Sequence, residues 1–162
     1  HPDDIELGCG GLIAHIAKQA ELFCITLSDN QKNPLLINLP EEHYHSMNIL
    51  GVKKDHVILH HFTTRRFQDE RQEVLEFLFE QNKKFQPDIV FTHTQADLHQ
   101  DHSTVTLEAL RAFRGMSVFG YDVIRSSNGF FPNFLVKIDE ADVEKKIQAL
   151  SAYSTYKDKY YF

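Results

Sequence analysis

Two short stretches of this chain, His1-Pro2-Asp3-Asp4 and Asp97-Leu98-His99-Gln100-Asp101-His102, hold the side chains that bind a divalent metal and move protons. A histidine and a carboxylate from the first plus a histidine from the second make three ligands and leave a position for water. That is the arrangement of a catalytic rather than a structural zinc centre. Where a strand turns into a helix, residues three apart come to one side, so His1 and Asp4 can share an ion while Asp3 points elsewhere. The reading therefore assigns His1, Asp4 and His102 as ligands and Asp3 as general base for a bound water. His99 becomes a proton donor or oxyanion stabiliser, and Asp101 or Asp97 orients it through its second ring nitrogen. The metal, Zn²⁺ with Fe²⁺ as the other candidate, lowers the pKa of its water to roughly 7 and polarises a carbonyl. Aspartates and histidines also cap helices and fill loops. That blander reading leaves the co-occurrence of the two clusters unexplained.

Positioning these residues falls to elements legible from apolar periodicity. Helices are expected over 5–20, 41–50, 69–85, 103–114 and 141–152, the second stopped at Leu50-Gly51-Val52. Val74, Leu75, Leu78, Phe79 and Phe85 form the apolar face of the third. Strands are expected over 21–27, 56–60 and 89–92, with one or two more in 117–138 turning at Asn128-Gly129. The alternation implies an α/β fold with a mostly parallel sheet and helices on both faces. Such sheets bind ligands at the carboxyl ends of their strands, where His99 and His102 fall. Gly8-Cys9-Gly10-Gly11 lacks both the dinucleotide-binding spacing and a P-loop lysine, so its small residues are expected to let the first helix pack close to the sheet.

The 162 residues suit a single domain, 1–162, and a formal net charge of -6 argues against nucleic acid as a partner. Cys9 and Cys24 form no Cys-x-x-Cys pair, and no apolar run approaches the roughly 20 residues of a membrane span. A cytoplasmic protein is expected, with a homo-oligomer open. His15, His43, His45, His56, His60, His61 and His93 share no spacing and are read mostly as surface or supporting residues. A chain that starts on a metal ligand is expected to lack its first strand, and some of its C-terminal end.

His1-Pro2-Asp3-Asp4 and His99-Gln100-Asp101-His102 resemble the motifs of the PIG-L or LmbE-like metal-dependent N-acetylglucosaminyl deacetylases. Phe85 to His93, Leu50-Gly51-Val52, Phe131 to Phe134 and Lys145 to Leu150 extend the resemblance over most of the chain. It implies a Rossmann-like fold, zinc, and removal of acetyl from an N-acetylglucosamine-type sugar or conjugate, with the roles assigned above. Two departures stand out. Ile5 precedes Glu6 where the family commonly has Glu directly after the aspartates, and Leu39 stands near the family's usual arginine. Arg65 and Arg66 are therefore read as substrate contacts for an anionic group. Two competitors remain: a non-haem iron oxygenase using His1-x-Asp3 and His102, with Arg111 for an oxo-acid, and a sugar-binding module without turnover. Interleaved helices argue against the first, because that triad belongs to all-β folds. Retention of Asp3 and His99 argues against the second.

Overall fold

The computed structural model describes residues 1–30 and 32–159. In chain order its elements are α1 (Asp4–Ile16), β1 (Cys24–Thr26), α2 (Leu39–Leu50), β2 (Val57–Leu59), α3 (Arg71–Phe85), β3 (Ile89–His93), α4 (Gln100–Ala112), β4 (Ser117–Tyr121) and α5 (Glu140–Ser151). Short 3-10 turns lie at Pro34–Leu36, Lys54–His56 and Ser154–Tyr156. The described residues fall into two compact units, 1–30 and 32–61 with 132–159, and 62–131.

In the first unit β1 and β2 pair in parallel, Cys24 against Val57 and Thr26 against Leu59. A parallel pair needs a crossover, and α2 supplies it. Pro40 opens α2 at a position where its missing N–H costs nothing, which starts the helix two residues before the expected Glu41. Gly51 closes it at φ 91, its N–H returning to the carbonyls of Met47 and Asn48. The buried face carries Leu39, His43, Ser46, Met47 and Leu50. Leu39 packs with Tyr153 and Tyr156, which follow α5.

Two of the small residues of α1, Gly10 and Gly11, serve a different neighbour from the one expected. A Cβ on Gly10 would lie 3.0 Å from Lys146 Cγ, and one on Gly11 2.7 Å from Ile138 Cδ1. They admit α5 and the segment before it, rather than the sheet. Lys146 seals the contact by donating to the Leu7 carbonyl at 2.7 Å.

In the second unit β3 and β4 pair in parallel from Ile89–Ser117 to His93–Tyr121, with α4 as crossover. Helix α3 docks on α4 through Arg71, whose Nε lies 2.5 Å from the buried Glu108 carboxylate, and through Asn82, which donates to the Ala112 carbonyl at 2.8 Å. Val74 and Leu78 are buried, whereas Phe79, expected beside them, is 40% exposed. Asn128-Gly129 bends as expected, with Gly129 at φ 76, but of the one or two strands expected in 117–138 only β4 forms among the described residues. Instead Asn128 donates to the Ala96 carbonyl and Leu98 to the Ser126 carbonyl, so this stretch braces the loop after β3. No helix among the described residues is long and apolar enough to cross a membrane.

Candidate active site

Asp3 caps the N-terminus of α1 at φ 88 and ψ -27, a left-handed backbone that costs an L-residue about 1–2 kcal/mol. Its side chain is fully buried, its N–H donates to the Tyr153 hydroxyl at 3.2 Å, and Lys159 Nζ lies 3.2 Å from its carboxylate. Asp4 turns the other way, its Oδ2 3.0 Å from His1 Nδ1. Two ligands on a tetrahedral zinc with arms of about 2.0–2.1 Å stand roughly 3.3 Å apart, so this pair fits a shared ion. Asp3, drawn to Lys159 and Tyr153, is the poorer partner for His1, which weakens the oxygenase reading.

Around that helix start lies a buried polar network that local spacing gave no means of finding. Glu6 accepts from Ser46 Oγ at 2.7 Å and from the Tyr153 hydroxyl at 2.5 Å, and His43 Nδ1 lies 3.4 Å away. Burial pushes the Glu6 pKa upward, but His43, Tyr153 and Ser46 together hold it below the usual carboxylate value. His43 is fully buried, with Nδ1 2.7 Å from the Tyr153 hydroxyl and Nε2 3.0 Å from Thr26 Oγ1. It is not a surface residue.

The second cluster sits where β3 gives way to α4. Asp97 lies 2.8 Å from His102 Nδ1, accepts from Ser126 Oγ at 2.8 Å and accepts the His99 backbone N–H at 2.9 Å. Burial raises the Asp97 pKa, yet the hydrogen bonds from His102, His99 and Ser126 bring it below the ordinary value. Asp97 is therefore an ionised acceptor, and His102 donates Nδ1–H to it, leaving the ring's lone pair on Nε2. That is the tautomer a metal takes, held by the carboxylate partner that metal-binding histidines commonly have. His99 is held the opposite way. Its Nδ1 accepts the Asp101 backbone N–H at 3.2 Å, so the neutral ring carries its proton on Nε2.

The carboxylates thus differ from their expected tasks. Asp97 orients His102 rather than the His99 ring, and Asp101 accepts the backbone N–H groups of Arg65 at 2.6 Å and Phe67 at 3.3 Å. Asp101 anchors the turn on which Arg65 adopts φ 67. Arg66 pairs with Asp69 at 2.6 Å, both side chains largely exposed. His93, read as a supporting residue, ends β3 with its ring stacked 3.9 Å from that of His102, and His99 stacks on the same ring at 4.4 Å. Its place at the carboxyl end of a parallel strand was the available signal. Cys9 and Cys24 are buried and their thiols are pushed up to about 12, which disfavours the nucleophilic thiolate.

Residues 1–113 match the PIG-L family, described as GlcNAc-PI de-N-acetylase. The chain belongs to the PIG-L family. Over 164 aligned residues it is 28% identical to the uncharacterized deacetylase YaiS of Escherichia coli strain K12, covering 96% of this chain and 87% of the relative. The crystal structure of conserved protein TT1542 from Thermus thermophilus matches with TM-score 0.77 and 26% identity, over 96% of this chain and 76% of that one. The N,N'-diacetylchitobiose deacetylase of Pyrococcus horikoshii shares the fold at TM-score 0.72 and 20% identity, over 96% of this chain and 67% of that one. PIG-L membership makes this a deacetylase-family chain with the LmbE-like α/β fold.

Proposed function

We propose that this chain is a metal-dependent N-deacetylase acting on an N-acetylglucosamine-type amino sugar or its conjugate. The observation that carries the reading is the opposite locking of two histidines three residues apart: His102 keeps a lone pair on Nε2 and His99 keeps a proton there. A ligand and a hydrogen-bond donor are what amide hydrolysis by a metal-activated water requires of that pair. His1, Asp4 and His102 would hold the ion, zinc by the chemistry of this nitrogen and oxygen donor set, with ferrous iron the alternative. When bound, the ion supplies an acidified water and a polarised carbonyl.

The chain's own residues do the rest. Asp3 accepts a proton from water as its oxygen attacks the acetyl carbon. His99 Nε2–H donates a hydrogen bond to the oxygen that gains negative charge. The proton taken by Asp3 passes to the departing nitrogen as the C–N bond breaks, giving acetate and a free amine. Arg65, held at its backbone by Asp101, is the better placed of the two arginines for an anionic portion of the substrate, because Arg66 already has Asp69.

The test is acetate release from a panel of N-acetyl amino sugars, neutral and phosphate-bearing, by metal-loaded and chelator-treated protein. Release from at least one sugar that stops on chelation and returns with zinc supports the reading. Metal binding without release from any of them would leave a sugar-binding module in its place.

A further inference from the structure

The residues that match the family end at 113, yet the group touching the main chain of Asp3 comes from beyond them. Tyr153 is 1% exposed, and its hydroxyl has one proton to give and two lone pairs to fill. The proton goes to Glu6 Oε1 at 2.5 Å. Lone pairs then receive the Asp3 N–H at 3.2 Å and face His43 Nδ1 at 2.7 Å. Ser46 and Thr26 in turn fix Glu6 and His43. This chain of contacts terminates on a residue whose backbone is in the left-handed region.

Strained main chain persists only where its surroundings over-determine it. A left-handed φ at Asp3 also sets where Cβ, and therefore the carboxylate, points. We propose that Tyr153 is a positioning residue for the general base: its hydroxyl, aimed by Glu6 and His43, holds the Asp3 main chain so that the carboxylate faces the attacking water. The turn that follows α5 is then part of the catalytic apparatus, delivered there by that helix. This rests on the reading of Asp3 as the base, so the experiment tests that reading separately.

Tyr153→Phe, Glu6→Gln, Ser46→Ala and Asp3→Asn, each made in the whole chain, are compared for kcat, KM, metal content and amide hydrogen exchange of the peptide containing Asp3. Tyr153→Phe is expected to lose about 10- to 100-fold in kcat, the scale of a group displaced by an ångström, with KM within about twofold and metal retained. Exchange at Asp3 should quicken. Glu6→Gln, a weaker acceptor of the same shape, should show a smaller loss of the same kind, and it carries the test if the phenylalanine variant fails to fold. Ser46→Ala, which removes one donor to Glu6 but leaves the Tyr153 hydroxyl and its contact with Asp3 in place, should show a smaller loss of kcat and a smaller change in exchange than Tyr153→Phe. Unchanged kcat and exchange in Tyr153→Phe, or an equal loss in Ser46→Ala, would overturn the inference. Near-normal activity in Asp3→Asn would instead overturn the reading beneath it.

Discussion

At the scale of single residues, the proposed site would separate metal binding from proton transfer within four positions. Asp4 Oδ2 lies beside His1, whereas Asp3 lies against Lys159 and Tyr153. Asp3→Asn is expected to keep about one equivalent of metal and lose 10²- to 10⁴-fold in turnover, since an amide cannot accept the water's proton. His102→Ala should lose the metal with the activity. Paired elemental analysis and acetate assays check both, and metal content unchanged in His102→Ala would discard that ligand. Asp97→Asn sits between these extremes. It keeps the shape of the group beside His102 but not the charge that fixes its tautomer, so metal affinity should weaken about 10- to 100-fold. A competition titration with a chromophoric chelator reads this directly, and unaltered affinity would mean that His102 needs no help from Asp97.

At the scale of elements, close helix contact and sharp helix ends carry the framework. Gly51 ends α2 at φ 91, and a Cβ there would also stand 3.0 Å from Ala17 Cβ. Gly51→Ala should therefore destabilise the chain by about 1–2 kcal/mol, the cost of a left-handed backbone for a residue with a side chain. A lower urea midpoint at unchanged slope is the expected result. The stop at Gly51 was legible in Leu50-Gly51-Val52 because a helix end is a local decision of the backbone. The strands were also legible, but shorter than their apolar runs: β1 uses only Cys24–Thr26 of the run beginning at Glu21. The Asn128-Gly129 bend was legible too, but not what it joins. Those residues carry the turn chemistry of a hairpin, yet the backbone partners they find lie after β3 rather than on an adjoining strand.

At the scale of the molecule, burial of ionised carboxylates ties stability to pH. Glu6 and Asp97 both have folded pKa values below their ordinary ones, so the native state binds fewer protons than the unfolded chain in the acid range. Their contribution is fully present above about pH 4.5 and is lost as pH falls through the folded values. Thermal melts from neutral to acid pH should show Tm falling below that point. Glu6→Gln should begin less stable at neutral pH and show a shallower decline, and an identical acid slope would remove Glu6 from this role. The two thiols offer a second reading of integrity. With Cys9 and Cys24 buried and pushed up to about 12, neither should react with an alkylating reagent near pH 8 until the chain is unfolded by denaturant.

What the sequence determined by itself were properties set within a few residues: the His-Pro-Asp-Asp and His-Gln-Asp-His clusters, the helix periodicities, the Gly51 stop and the alternation that implies parallel strands. These follow from side-chain chemistry and backbone preference, which depend on near neighbours in the chain. Tertiary structure decided which carboxylate serves which histidine, because Asp97 and Asp101 are equally near His99 in sequence and only the folded turn sends one to His102 and the other to the amides of Arg65 and Phe67. It also decided that His43 and Tyr153 are buried beside Glu6, and that the hydroxyl of Tyr153 meets the amide of Asp3 across 150 positions of chain. No periodicity encodes such a meeting. Hydrogen-bond direction in a water-excluded interior is set by the partners that folding brings within reach, and those partners belong to separate elements.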